Sequence, residues 1–457
     1  TTTGARPDAK LLYVVSLGGG DTTGADERAH VSTSEWTVST AGRFRAIEAL
    51  SKLAEVLCGR GGGAAGAAAK ALEAQVVRLM ASNRATWRLT GAHLLSRWLA
   101  AIPPGSPKPA LEAPGARLGE ILAATNPAYP SAPSPVGYLE LAKVVERVKT
   151  EAAGLLRAAA SAGVAPTGEV PSPAADGFGA EHAGTLSAAI PKGPAAVESA
   201  RSQLLASAAY LHSEQTRLHS GVLAAAASAA VAFGALPAKL NPFIQPLMNA
   251  IKRERDELLQ TRAADALAGL IKLCVGRTPS PVGKIAGNVC ALACADRAET
   301  PNALVEADAP SECGAKEVLS DMSELSDAAV ARRGAEATLR ALSSAFGASV
   351  FTSAPKLWEL MAGSLTAAGA APQAVVDGLQ ILKVLGPVAH ADVRASVLEL
   401  LPVAFDKATA AGSSTALQTT AARAIAALAL AAPSDVVPSL LERIVPALEN
   451  AGEADDA

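Results

Sequence analysis

The sequence predicts an all-α protein, a solenoid of repeated helix pairs interrupted by Pro/Gly-rich and acidic loops. Three observations carry that expectation. Half of the 457 residues are apolar, alanine is the commonest of them, and aromatics make up only 3%. Alanine is the best helix former and a poor strand former. Apolar residues recur three and four positions apart rather than alternating, and a proline-led helix start returns at a nearly fixed interval late in the chain.

From Arg43 to Cys58, Phe44, Ile47, Leu50, Leu53, Ala54 and Leu57 fall on one helical face. The pattern repeats twice over Val76–Leu99 and continues in longer helices over Tyr138–Leu156 and Val197–Leu218. The alanine-rich stretch from Gly221 to Gly234 is too short and too weakly apolar for a membrane span of about 20 residues, and reads as a buried solenoid helix. Three segments read as irregular: Ile102–Pro135, Ala165–Pro194, and the acidic Asp296–Asp327. The tail Glu449–Ala457 reads as frayed. The expected organisation is N-terminal helical repeats over 1–101, a Pro-rich linker over 102–137, central repeats over 138–295, an acidic loop over 296–330 and C-terminal repeats over 331–457.

The second half is the most informative. Asn241-Pro242 is a good helix start, because asparagine caps free N–H groups and proline suits the first helical position. That helix should run to about Arg253. A second, from near Glu257, places Leu259, Ala263, Ala266, Leu267, Leu270 and Ile271 on one face. Ala354-Pro355, Leu401-Pro402 and Val445-Pro446 then open further helices, with the prolines 47 and 44 residues apart. Partner helices follow the same pattern at Ala335, Leu339, Leu342 and Phe346, and at Leu417, Ala421, Ile425 and Leu428. Such a period marks HEAT and armadillo repeats. Ala263-Ala264 and Ala421-Ala422 would let neighbouring helices approach closely.

Forty basic residues against 43 acidic give a net charge of −3, without the basic excess of a phosphate-gripping protein. Five scattered cysteines (Cys58, Cys274, Cys290, Cys294, Cys313) fit a reducing compartment better than a disulfide framework. The chain opens on Thr1 without an initiator methionine, which reads as a boundary within a longer protein.

Several motifs invite chemistry and fall short of it. Gly59–Lys70 is glycine-rich, but Ala67 follows Gly66 and Ala71 follows Lys70, so the Gly-Lys-Ser/Thr of a phosphate loop is absent and a flexible loop is expected. Gly283-Lys284 is followed by Ile285, where a magnesium-binding hydroxyl should stand. Cys290 and Cys294 lie one turn apart without a second ligand pair at matching spacing, and read as buried helix cysteines. His212 and His219, with Glu214 nearby, read as a solvated polar face. The mixed-sign run Lys252-Arg253-Glu254-Arg255-Asp256-Glu257 reads as a solvated turn, with Lys252, Arg253 and Arg255 as the candidates for touching a partner. No catalytic, cofactor-binding or metal-binding residue is expected in this chain.

Several of these segments, taken in order, resemble one family. They are Leu236-Pro237-Ala238-Lys239-Leu240-Asn241-Pro242 with Ile244, Pro246-Leu247-Met248 and Ile251-Lys252; Arg277-Thr278-Pro279 with Lys284-Ile285, Asn288-Val289-Cys290 and Cys294; Arg332-Arg333-Gly334-Ala335-Glu336 with Phe346-Gly347; Pro355 with Leu357-Trp358 and Met361; Leu379-Gln380; Leu400-Leu401-Pro402; and Ala421-Ala422-Arg423. The family is that of the TATA-binding-protein-associated factors of the B-TFIID type, also called modifier-of-transcription ATPases. The strong matches run from about Leu236 to Arg423. The sequence departs from the family between Cys294 and Arg332, where the family usually has a longer insertion, and in lacking a helicase-like ATPase motor.

The resemblance implies a nuclear HEAT scaffold that clasps TATA-box-binding protein. DNA would be met mainly through that partner or through a C-terminal DNA-dependent ATPase, and no membrane is involved. The alternative is a generic HEAT adaptor, such as a transport receptor or a scaffold subunit of a large complex. Trp358 reads as core rather than as a partner anchor.

Overall fold

The computed structural model describes residues 63–101, 112–123, 138–303 and 325–455, apart from 176, 235, 237, 238, 411 and 412, and scattered residues between 42 and 52. All regular structure among them is helical, and the fold class is the expected all-α one of HEAT type. The chain divides into two compact units, 1–246 and 247–457.

In the first unit the helices are α1 (Gly63–Ala81), α2 (Ala85–Ala101), α3 (Glu112–Ala123), α4 (Ala142–Ser161), α5 (Ala180–Ala189) and α6 (Ala195–Phe233). At 39 residues, α6 is about 58 Å long, and α2, α3, α4 and α5 all pack on it. Its N-terminal part buries Val197, Leu204 and Leu211 against Leu155 of α4 and Leu186 of α5. Its C-terminal part, Val222–Val231, is buried nearly all round, as the alanine-rich stretch led one to expect. Small side chains there give α2 a close seat, with Trp98 and Leu95 fully buried. Glu140 ties α2 down from a distance. Its carboxylate accepts from the N–H groups of Ala85 and Thr86 at 3.2 and 3.1 Å and from the Thr86 hydroxyl at 2.8 Å, satisfying donors that a helix start leaves free.

The second unit holds most of α7 (Asn241–Arg253) and all of α8 (Glu257–Cys274), α9 (Val282–Ala293), α10 (Asp327–Phe346), α11 (355–366), α12 (Pro372–Leu385), α13 (Ala391–Leu398), α14 (Leu400–Thr409), α15 (Thr415–Ala431) and α16 (Pro433–Asp455). A π-turn at Glu359–Gly363 interrupts α11. The second helices of successive pairs form one layer, with α8 against α10, α10 against α12 and α12 against α15. On their other side α9 packs on α10, α11 on α12, and α14 and α16 on α15. Leu267, Ala335, Leu339, Leu379 and Ala421 fill the space between.

The structure corrects several expectations. The Pro-rich segment 102–137 contains α3, and Ala165–Pro194 contains α5, because leucine and alanine supply a short apolar face between the prolines. Most of Gly59–Lys70 is not a loop either: from Gly63 it is the first part of α1, where interspersed alanines outweigh glycine's cost of about 1 kcal/mol per residue. Pro402 lies inside the first turn of a helix that begins at Leu400.

Pro446 does not open the last helix; Pro433 does, and α16 runs on through Pro438 and Pro446. Helix starts therefore fall at 355, 400 and 433, and the last interval is shorter than the proline spacing suggested. On α15 the buried stripe is Ala416, Thr420, Ala421, Ala424 and Leu428, rotated from the expected Leu417/Ile425 line, and Ala422 is exposed. The tail remains helical to Asp455. Of the face expected over Arg43–Cys58, Ile47 is buried but Leu50 is 44% exposed, which corrects that part of the stripe; Gly59–Gly62, Cys58, Cys313 and the acidic residues 304–324 lie outside the described residues.

Candidate partner-binding turn and the polar joints behind it

Lys252, Arg253 and Arg255 come together on one turn, between the end of α7 and the start of α8. The turn is built rather than merely solvated. Asp256, buried, caps α8 by accepting the N–H groups of Leu258 and Leu259 at 3.0 and 3.1 Å. From α10, Arg333 donates to the carbonyls of Glu254 and Arg255 at 3.2 and 2.8 Å and to Gln260 Oε1 at 2.7 Å. Gln260 is 1% exposed, and its amide nitrogen donates to the carbonyls of Ile251 and Val330 at 2.8 and 2.9 Å. All three helices thus meet at one side chain. Arg255 stays exposed, its side chain 52% accessible, and donates at the surface to Leu325 O at 3.1 Å and Asp327 Oδ1 at 2.8 Å. Lys252 and Arg253 are exposed at the C-terminal end of α7, where positive charge also complements the helix dipole.

A second joint lies one repeat further on. Arg332 bonds Asp296 Oδ2 at 3.0 Å and Glu336 Oε1 at 2.8 Å, and Arg340 reaches Glu336 Oε2 at 3.2 Å. Asp296 and Glu336 are buried. Burial alone would lower the Arg332 pKa, but hydrogen bonds and charge from Glu336 and Asp296 outweigh it and raise it. Nearby, Glu299 accepts from Lys383 at 2.6 Å and from Arg423 at 3.5 Å. The Lys383 hydrogen bond, against some desolvation, holds its carboxyl below the usual range.

Sequence reasoning missed Gln260, Asp296 and Glu299. Their partners lie 36 to 124 residues away, and no local spacing announces such pairs. One signal was present. The segments that carry the family resemblance supply the joint residues Arg332, Arg333, Glu336 and Arg423, and also Gln380, whose amide nitrogen lies 3.5 Å from Ala293 O and from Glu336 Oε1.

The other candidates take structural places. Gly283-Lys284 lies in α9. Cys290 and Cys294 are buried, as expected; burial pushes the Cys290 thiol up to about 12 and the Cys294 thiol higher still, far from the thiolate a nucleophile or metal ligand needs. Among the described residues no cluster of three His, Cys, Asp or Glu side chains could hold a metal, and no helix is long and apolar enough to cross a membrane. Trp358 is half-buried, edge-on to Phe351 with ring centroids 5.0 Å apart.

His219 corrects the solvated-face reading. It is largely buried, and its Nδ1 lies 3.1 Å from the Tyr138 hydroxyl. Burial, then the charge of Arg88, lowers its pKa to about 4. The folded state therefore favours neutral imidazole, and this group contributes nothing above its unfolded pKa of about 6.5. As pH falls from there towards 4, the unfolded chain takes up the proton first and stability drops, by on the order of 2 kcal/mol. His219→Gln should flatten that part of the profile, measured by urea unfolding of both proteins between pH 7 and 4. Parallel profiles would contradict the assignment.

Side-chain joints between successive helices and an exposed basic pair on one turn define the class: a helical-repeat protein of HEAT type. Comparison with known sequences then gives the family. Residues 24–360 match the family described as "Domain of unknown function (DUF3535)", and the chain belongs to it. It is 34% identical to TATA-binding protein-associated factor BTAF1 of Arabidopsis thaliana, over 55% of this chain and 14% of that protein. It is 31% identical to TATA-binding protein-associated factor MOT1 of Saccharomyces cerevisiae over 40% and 11%, and 47% identical to TATA-binding protein-associated factor 172 of Homo sapiens over 17% and 4%. The family resemblance read from the motifs is thereby upheld. The chain spans only about a seventh, or less, of the length of these relatives.

Proposed function

We propose that the chain is a non-catalytic HEAT scaffold in transcription regulation that holds TATA-box-binding protein. In this reading it forms part of a clasp that helps remove that protein from DNA in the nucleus. The observation that carries the reading is the alignment with proteins named as TATA-binding protein-associated factors, one of them over 55% of the chain. The structure supports it in kind, since a repeat array offers turns held rigidly on a stacked frame, suited to clasping a folded partner.

Lys252 and Arg253 are the proposed contact residues, meeting carboxylates on the partner. Arg255, exposed on the same turn and paired with Leu325 and Asp327, is the third candidate. The reading places ATP hydrolysis and most DNA contact in other parts of a longer protein, with no cofactor bound to these residues. The test is retention of TATA-box-binding protein by the immobilised chain, with and without TATA DNA, at moderate salt. Retention is the expected result; a folded, helical chain that retains none would favour a general HEAT adaptor.

A further inference from the structure

In a helical-repeat array each repeat ordinarily contacts only its neighbours, so stability is a sum of nearest-neighbour terms. Segment 296–303, which follows α9, departs from that rule. Its start is tied to α10 by Asp296–Arg332 at 3.0 Å. Its end is tied to α12, where the Ala303 N–H donates to Gln373 Oε1 at 2.9 Å. Between them Glu299 pairs with Lys383 of α12 at 2.6 Å and with Arg423 of α15 at 3.5 Å. Arg423 also donates to the carbonyls of Ala298 and Glu299 at 3.3 and 3.1 Å. The helix pairs involved are α9/α10, α11/α12 and α14/α15, so the segment reaches two repeats ahead.

We propose that segment 296–303 is a staple across three consecutive repeats, with Glu299 and Arg423 as the pair that couples α15 to the α9/α10 repeat. The main packing of α15 is on α12 and α14. Without the staple it would open together with α14 and α16 as an end unit. With it, opening α15 also breaks contacts to a segment anchored on α10. Such coupling fixes the stacking of successive repeats and therefore the spacing of any surfaces they present. The pairs are only partly buried, with Lys383, Glu299 and Arg423 side chains 23%, 31% and 38% exposed, so the tie is sensitive to salt.

Hydrogen exchange of the whole chain tests this. In Glu299→Gln and in Arg423→Gln, α15 amides should exchange roughly three- to tenfold faster, the effect of losing one or two part-exposed ion pairs, while α8 amides keep their wild-type rates. In the wild type, raising salt from low to high concentration should selectively accelerate α15, a readout that holds even if a variant fails to fold. Unchanged α15 exchange in the variants or in salt would overturn the staple. So would equal acceleration of α8, α12 and α15, which would reduce the segment to a general contributor to stability.

Discussion

Replacing Gly334 by alanine should destabilise the second unit by about 3–5 kcal/mol, the range of severe overpacking at a buried site. A Cβ built there falls on the Ile251 carbonyl oxygen, far inside van der Waals contact, and lies 2.5 Å from Gln260 Nε2. The obstacle on one side is backbone and cannot rotate away. To make room, α10 would have to move off the α7–α8 turn. That movement would break the Gln260 bonds to Ile251 and Val330 and the Arg333 bonds to Glu254 and Arg255, leaving buried polar groups unpaired. Gly283 provides the contrast: it is exposed in α9 with nothing within 4 Å of an added Cβ. Alanine there should be neutral or stabilising, by up to about 1 kcal/mol. Urea unfolding followed by circular dichroism compares the two. A Gly334→Ala protein as stable as Gly283→Ala would refute the close-packed joint.

Arg332→Met should cost about 2–4 kcal/mol, somewhat under the usual loss for breaking a buried pair because Glu336 keeps Arg340. Asp296 would be left buried without its cation, and Glu336 with only one of two. Arg332→Lys keeps the charge but cannot bridge both carboxylates in the same planar fork, and should fall between the two. The lysine variant separates this cause from lost packing, because it keeps a cation beside the two buried carboxylates. In urea unfolding, a lysine variant no more stable than the methionine one would show that the positive charge did not matter.

These two positions also show how far the sequence could be read. The α7–α8 pair was legible because its signals are local: Asn241-Pro242 starts one helix, and the apolar spacing of the next, from near Glu257, is regular. The α15 face was misjudged by one position because its alanines bury as readily as its leucines, which blurs the stripe. The start of α16 was misplaced at Pro446 because proline in the first helical turn, as at Pro433, and proline within the helix, as at Pro438 and Pro446, look alike in sequence. The joints were illegible as contacts, since Glu299 and Arg423 are 124 residues apart. His219 was read as solvated because its partner, Tyr138, belongs to a different helical segment 81 residues away.

The candidate turn divides in a similar way. Its charges were visible in the sequence, but Arg255's commitment to Leu325 and Asp327 depends on a segment 70 residues further on. Lys252 and Arg253, exposed at the end of α7, carry the test because Arg255 already spends its guanidinium on that segment.

The most direct measurement is the affinity of the chain for TATA-box-binding protein, by calorimetry, for the wild type and for Lys252→Glu/Arg253→Glu. Both residues are exposed and stand outside the Gln260 joint, so the variant should fold, losing only about 1–2 kcal/mol from reversed charge at the C-terminal end of α7. The account predicts measurable binding by the wild type, weakened at least tenfold in the variant, a change of about 1.4 kcal/mol. No binding by a well-folded wild type would contradict the proposed function, and equal binding by both proteins would contradict the placing of its contact on this turn.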